Sequence, residues 1–337
     1  MRCQCLKILS GDMGSDARML DMEFQDGSAW RGEDLDAADG RFTIPDEVKG
    51  EIIAAAALLA KNPLPVAALH PKHVSMPASV AFMASVEQTL RDGVGFALID
   101  RLPLEDIGEA GARAIHWLLG AMIERPVAQN WLGDLLYDVT DTGRAPGNGT
   151  RPDKTNAEQN FHTDNSYNLC PPNFVALLCL RTAKTGGLSH IVSFKAAHNA
   201  LRAAAPTLLQ RLYEPFHFDR QREHAPDDVM TLHHPLFEAG GGQLLARLSK
   251  FQVVNGQALA GKALDPLGTE ALDALEDIMS APGMDVTFDF QPGQIQIINN
   301  RVIGHRRTGF ADWPEPERKR RLVRLWLRDQ GRRFYNG

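Results

Sequence analysis

Short apolar runs alternating with glycine-containing turns constrain the fold of this chain more than any other feature. They recur from Phe174 to the end of the sequence, and a glycine-rich turn at residues 238–243 separates two of them. Many short strands joined by such turns predict a double-sheet architecture, with the helical segments packed outside. The sequence therefore predicts an α+β fold with a mainly β core: a double-stranded β-helix (jelly roll) with surrounding helices and an enclosed ligand cavity.

Periodicity and helix-ending prolines place the individual elements. The predicted strands are residues 93–100, 174–180, 188–194, 216–220, 236–238, 243–248, 286–290, 294–298 and 321–328. The predicted helices are residues 47–62, 80–92, 104–124, 196–211 with a break at Pro206, and 268–280. Residues 1–45 are expected to form an extended lead-in or a small hairpin.

We expect a single domain over residues 1–337. In it, residues 1–93 form a mostly helical wrap and residues 94–337 form the jelly-roll core. Residues 133–161 include a polar stretch with glycine and proline and few side chains that pack, and it leads into a histidine-aspartate pair. A mobile lid beside an active site and a plain surface loop are both compatible with this pattern.

Composition excludes several classes of protein. The 337 residues carry a net charge of −6, which argues against a protein that mainly holds nucleic acid. No apolar run of about eighteen residues is present, so we expect no membrane span. The 4 cysteines lack the spacing of a disulfide scaffold or a zinc ribbon, which favours free thiols in the cytoplasm. A small-molecule substrate is expected, and an oligomer remains open.

Three separated residues indicate a metal site. His162 and Asp164 project from one face of an extended segment, because side chains alternate along a strand. A His-x-Asp triplet alone is weak evidence, since a histidine satisfied by a neighbouring carboxylate is common. His305, far downstream, is the candidate third ligand. Two histidines and one carboxylate form the facial triad of non-haem Fe(II) oxygenases.

An arginine lies inside the apolar strand predicted at residues 321–328. Alternation places Leu322, Arg324 and Trp326 on one face, opposite Val323 and Leu325. An arginine in such a strand needs an anion, because burying an unpaired charge is costly. A ligand carboxylate and a structural salt bridge are equally compatible with this position.

The order of these motifs resembles a known family. The matching segments are His162-Thr163-Asp164, Pro171-Pro172, Thr185-Gly186-Gly187-Leu188-Ser189, Asn299-Asn300 before His305, and Arg320 to Arg324. From about residue 94 onwards the chain resembles the taurine dioxygenase and clavaminate synthase-like group of Fe(II)/2-oxoglutarate-dependent oxygenases. The resemblance implies hydroxylation of an unactivated C–H bond, with Fe(II), 2-oxoglutarate and O2 required and succinate and CO2 released.

The resemblance also implies roles for individual residues. His162, Asp164 and His305 would be the iron ligands. Arg324 would bind the distal carboxylate of 2-oxoglutarate, and Arg320 is the alternative if the register is shifted. Ser189 stands where the taurine enzyme has threonine and would donate a hydroxyl hydrogen bond to that carboxylate.

The substrate is predicted from polar residues expected to border the cavity: Glu158, Asn165, Asp219 and Arg220. Glu158 lies four positions before the first iron ligand, where the taurine enzyme has an asparagine. A carboxylate there would repel a sulfonate, which argues against taurine. Together with Asp219 it favours an amine or guanidine, and therefore an amino-acid-like or cationic metabolite.

Two alternative functions use the same ligands. A zinc-dependent hydrolase could bind its metal through two histidines and one aspartate. A non-catalytic metal-binding jelly-roll module could do so as well. Neither alternative requires Arg324 to face the interior of the barrel.

Overall fold

The computed structural model describes residues 19–145, 151–240 and 243–334. In these ranges the helices are α1 Asp46–Lys61, α2 Pro77–Asp92, α3 Leu104–Ile123, α4 Phe194–Ala204, α5 Pro206–Leu212, α6 Lys250–Leu259 and α7 Pro266–Met279. The strands are β1 Arg41–Thr43, β2 Phe96–Asp100, β3 Pro126–Val127, β4 Tyr137–Val139, β5 Gln159–His162, β6 Phe174–Arg181, β7 Thr185–Gly186, β8 Ser189–Ser193, β9 Phe216–Asp219, β10 Thr231–His234, β11 Phe237–Gly240, β12 Gln243–Ala246, β13 Asp285–Phe288, β14 Ile295–Asn299, β15 Ile303–Arg307, β16 Phe310–Ala311 and β17 Arg321–Leu327.

Two sheets form the β core. The large sheet has the strand order β1-β2-β14-β6-β17-β3, with β4 also paired to β17. The small sheet has the order β13-β8-β15-β5. Apolar side chains of both sheets, such as Val175 from β6 and Ile191 from β8, share one hydrophobic core. The predicted jelly roll is confirmed.

Strand β17 shows how alternation separates two cores. Leu322 and Trp326 face inward, into the core shared with the small sheet. Val323 and Leu325 face outward, into a second core. Since successive side chains of a strand point to opposite faces, seven residues supply both. The predicted division of this strand is confirmed, and Arg324 lies on the inward face with Trp326.

Helices α1 to α3 cover the outer face of the large sheet. Ile52 of α1, Val86 of α2 and Ile115 of α3 belong to the same core as Leu325 of β17. An apolar stripe on each helix is what a sheet face requires for burial. The three helices predicted here are confirmed, each within a few residues of its predicted bounds.

The remaining elements confirm some predictions and add others. The break predicted at Pro206 separates α4 from α5, because proline is tolerated in the first turn of a helix but disrupts a helix interior. Helix α6 and strands β3, β4, β7, β10, β15 and β16 were not predicted. Part of the predicted lead-in forms β1, which pairs with β2 in parallel. Residues 1–18 of that lead-in, and two glycines of the turn predicted at residues 238–243, lie outside the described residues. Over the part of the chain that is described, no helix combines the length and apolarity that a membrane crossing requires.

Candidate active site

His162, Asp164 and His305 lie close together beside strands β5 and β15 of the small sheet. His162 on β5 and His305 on β15 are directly paired across the two antiparallel strands. Asp164 Oδ1 lies 3.8 Å from Nε2 of His162 and 3.6 Å from Nε2 of His305. One ligand atom from each residue lies within 4.8 Å of the other two, a spacing not repeated by any other His, Cys, Asp or Glu trio in the described ranges. The three atoms are close enough together to be candidates for binding one metal ion.

Backbone contacts fix the orientation of the ligands. His162 Nδ1 lies 2.9 Å from the carbonyl oxygen of Asn160, so a proton on Nδ1 leaves Nε2 free to bind a metal. The backbone of Asp164 is held by the amide side chain of Asn300. Its N–H donates to Asn300 Oδ1 at 2.8 Å, and its carbonyl accepts from Asn300 Nδ2 at 3.0 Å. The Asn299-Asn300 pair that precedes His305 therefore connects the two halves of the site.

The charges around the trio favour metal-binding protonation states. Burial alone would raise the pKa of Asp164, but Arg324 and His305 hold it well below its usual range. Burial, and then the neighbouring His305, lower the pKa of His162 to about 4. At neutral pH the site therefore offers an ionised carboxylate and a neutral imidazole, which are the forms that bind a divalent metal.

The second oxygen of Asp164 is held by β17. Trp326 Nε1 donates to Asp164 Oδ2 at 2.6 Å, and Arg324 Nη1 lies 3.2 Å from the same oxygen. Arg324 also pairs with Asp153 at 2.9 Å and donates from Nε to Gln129 at 2.8 Å. The guanidinium of Arg324 is thus already neutralised by carboxylates of the protein.

Arg320 has a different environment. Its residue is 4% exposed, and its Nη1 atom has no hydrogen-bond partner among the described residues. Burial lowers its pKa to about 10. Ser189 is buried nearby, with its hydroxyl donating to Gln296 Oε1 at 2.9 Å. In the described residues Arg320 forms no direct ion pair, although Asp312 acts on it at longer range, so a ligand anion would stabilise its buried charge.

One cavity of about 380 Å³ joins these groups. The predicted site residues that line it are His162, Asp164, His305, Arg320, Arg324, Ser189, Glu158 and Asn165. Most of residues 151–160, from the predicted lid, line the cavity, whereas residues 146–150 lie outside the described residues. The mobility of this segment stays a prediction.

Asp219 and Arg220 are not brought into the cavity. Asp219 accepts a hydrogen bond from the backbone N–H of Gln221 at 2.7 Å, and Arg220 pairs with Asp228 at 2.7 Å. From this segment only Gln221 is among the lining residues. The turn after β9 directs both charged side chains to local partners, so the predicted pairing of Glu158 with Asp219 does not form.

Several lining residues were missed from the sequence. They include Asp153, Gln221, Phe251, Arg306, Arg307 and, as a partner of Asp164, Trp326. Arg307 lies two residues after His305, and residues two apart on a strand share a face, so its position in the cavity could have been predicted from the sequence. Nothing local to Asp153 indicates that it meets Arg324.

Comparison with known proteins decides the family. Residues 64–326 match the taurine catabolism dioxygenase TauD, TfdA family. The chain belongs to this dioxygenase family. FR-33289 synthase of Streptomyces rubellomurinus (strain ATCC 31215) is 30% identical over 315 residues, which cover 91% of each protein. The predicted class, an Fe(II)/2-oxoglutarate-dependent oxygenase using O2, is confirmed.

Solved structures support the same fold. Asparagine oxygenase in complex with Fe(II), 2S,3S-3-hydroxyasparagine and succinate superposes with a TM-score of 0.65 at 19% identity, covering 86% of this chain and 93% of that one. The non-haem iron oxygenase OrfP in complex with Fe, succinate and (3S)-hydroxy-L-Arg has a TM-score of 0.65 at 14% identity, covering 86% and 94%.

Proposed function

We propose that this oxygenase hydroxylates a C–H bond of a small, amino-acid-like metabolite. The observation that carries the proposal is the cluster of His162, Asp164 and His305, which opens into a cavity that also holds a buried arginine without an acidic partner. Two proteins of similar fold support the substrate class: asparagine oxygenase, solved with hydroxyasparagine, and OrfP, solved with (3S)-hydroxy-L-Arg.

The three clustered side chains would hold Fe(II). When bound, Fe(II) with 2-oxoglutarate and O2 supplies the oxidant that converts a substrate C–H bond to C–OH, with release of succinate and CO2. The protein orients the reactants and excludes side reactions. Asn160 sets the tautomer of His162, Asn300 fixes the backbone of Asp164, and β17 holds the far oxygen of that carboxylate.

We assign the distal carboxylate of 2-oxoglutarate to Arg320 and Ser189 rather than to Arg324. Arg324 already contacts Asp153 and Asp164, so a further anion would compete with both. Arg320 lacks such a partner and lines the same cavity as Ser189. In this assignment Arg324 is a positioning residue for Asp164.

Glu158 is the candidate group for the substrate amine. It lies at the exposed rim of the cavity, four residues before His162. Because Asp219 lies outside the cavity, recognition of an amine rests on Glu158, and Asn165 lines the same cavity. An amino-acid-like substrate would place its ammonium group against this carboxylate.

Anaerobic titration tests the oxygenase site. Fe(II)-loaded protein should develop a weak visible charge-transfer band as 2-oxoglutarate is added. In Arg320→Gln the band should require about 30-fold or more 2-oxoglutarate, because losing one partner of a buried charge pair costs about 2–5 kcal/mol. Arg324→Gln should change this requirement less. If the wild type gives no band while zinc binds tightly, the proposed assignment of the iron and co-substrate sites fails.

Succinate release with a panel of L-amino acids tests the substrate class. We expect one or more of them to stimulate 2-oxoglutarate turnover, and Glu158→Gln to raise KM for that compound about tenfold, as expected for loss of a charged hydrogen bond. The Fe(II) and 2-oxoglutarate titrations of Glu158→Gln should match those of the wild type. Stimulation by acids that lack an amine, with no effect of Glu158→Gln, would refute the amine assignment.

A further inference from the structure

A second buried arginine lies beside Arg320 in the cavity. Arg307 is 7% exposed, lines the cavity and stands two residues after His305 on β15. Its Nη2 atom donates to the carbonyl of Ala157, and its Nε atom has no partner in the described residues. The adjacent Arg306 differs, because Asp285 lies 3.7 Å from its guanidinium.

Arg307 and Arg320 occupy the same small region. Their guanidinium carbons lie 4.8 Å and 5.1 Å from the centre of the Phe310 ring. Both side chains are buried, with Arg307 7% and Arg320 4% exposed. In the described ranges neither guanidinium forms an ion pair with an acidic side chain, in contrast to Arg306 and Arg324. Two neighbouring buried cations repel each other unless an anion lies between them.

The position along the strands indicates which anion this is. Arg307 is paired with Ser189 across β15 and β8, and a Cβ on Gly187 would lie 3.1 Å from Nε of Arg320. Two residues of strand separate Arg307 from His305 by about 7 Å. Because His305 and Arg307 line the same cavity, an anion bound to the metal at one end can meet Arg307 at the other.

We propose that Arg307 and Arg320 together bind the distal carboxylate of 2-oxoglutarate, and that Arg307 selects a dicarboxylic keto acid over a monocarboxylic one. The inference rests on the proposed function and adds Arg307 to its co-substrate site. A carboxylate has lone pairs for two guanidinium groups and for the Ser189 hydroxyl. The charge of the co-substrate thus replaces the acidic partner that both arginines lack.

The test compares 2-oxoglutarate with 2-oxopentanoate, which has a methyl group in place of the distal carboxylate. The Kd of each is measured anaerobically from the charge-transfer band of Fe(II)-loaded protein. In Arg307→Gln we expect the Kd of 2-oxoglutarate to rise tenfold or more, while that of 2-oxopentanoate stays within about twofold, because only the charged end loses a partner. Arg211→Gln is the matched control, because Arg211 is as buried as Arg307 but pairs with Asp265 outside the cavity, and it should change neither Kd.

Structural and substrate-binding roles of Arg307 give different results. If both Kd values rise by the same factor in Arg307→Gln, the side chain acts through Ala157, and the inference is overturned. It is also overturned if 2-oxoglutarate binds normally and only KM for the primary substrate rises. Arg307→Lys keeps the charge and should recover part of the selectivity for 2-oxoglutarate over 2-oxopentanoate. If Arg307→Gln does not fold, the ratio of the two Kd values in Arg307→Lys tests the proposal instead. Absence of a band in the wild type with either keto acid would instead refute the proposed function.

Discussion

At the scale of single residues, the strongest test of the iron site is Trp326, which never touches the proposed metal. Its indole N–H donates to Asp164 Oδ2 at 2.6 Å, on the side away from the histidines. Trp326→Phe keeps an aromatic side chain but removes the indole N–H donor, so we expect Fe(II) affinity to fall about 10–100-fold, as for other partners of metal ligands. Competitive titration with a fluorescent chelator measures it. Trp117→Phe, which loses a bond to the Leu69 carbonyl, is the control, and equal affinities in both variants would contradict the role.

The same scale shows what the sequence predicts about a site. His162 and Asp164 were proposed as ligands from their period-two spacing, and His305 was added as the third candidate that a facial triad requires. Their partners were harder to predict. The choice between Arg320 and Arg324 depends on which one meets acidic side chains, and Asp153 reaches Arg324 from 171 residues away in the chain. Long-range pairing of charges leaves no local pattern.

At the scale of elements, helix α6 packs unusually closely on β9. A Cβ at Gly256 would lie 2.3 Å from the carbonyl oxygen of His217 and 2.5 Å from the backbone nitrogen of Asp219. We expect Gly256→Ala to lower the free energy of unfolding by about 2–3 kcal/mol, since backbone atoms cannot move aside cheaply. Urea unfolding measures the change. Gly50→Ala in α1 has no atom within 4 Å and should stabilise by about 0.5–1 kcal/mol.

Opposite signs for the two alanines would confirm the contact; a stabilised Gly256→Ala would contradict it.

The same contact explains why α6 was missed. Val253, Val254 and Gly256 lower intrinsic helix propensity, and packing on β9 overrides it. Helices α1 to α3 were predicted because apolar spacing and flanking prolines agree within each segment. Strand order across the two sheets was beyond the sequence, because pairing such as β17 with β6 is set by distant partners.

At the scale of the whole molecule, the histidines packed in the interior make folding sensitive to acid. Burial lowers the pKa of His116 to about 3 and that of His198 to about 4. A histidine with a lowered pKa is neutral in the folded protein, while the unfolded chain takes up a proton below about pH 6.5. Each such group therefore stabilises the fold above that pH, and the contribution is lost as the pH falls towards the folded pKa.

His116 allows a direct measurement of this effect. It is 1% exposed on α3, far in sequence from the proposed iron ligands. In the wild type it should reduce the free energy of unfolding by about 2 kcal/mol between pH 6.5 and pH 5, at about 1.4 kcal/mol per pH unit. Position 116 cannot titrate in His116→Gln. Between pH 6.5 and pH 5 the free energy of unfolding of this variant should therefore fall by about 2 kcal/mol less than that of the wild type, whatever its value at pH 7. Urea unfolding across this range measures both slopes, with the exposed His73→Gln as the control for losing a histidine. Equal slopes for His116→Gln and the wild type would mean that His116 is not held neutral by burial.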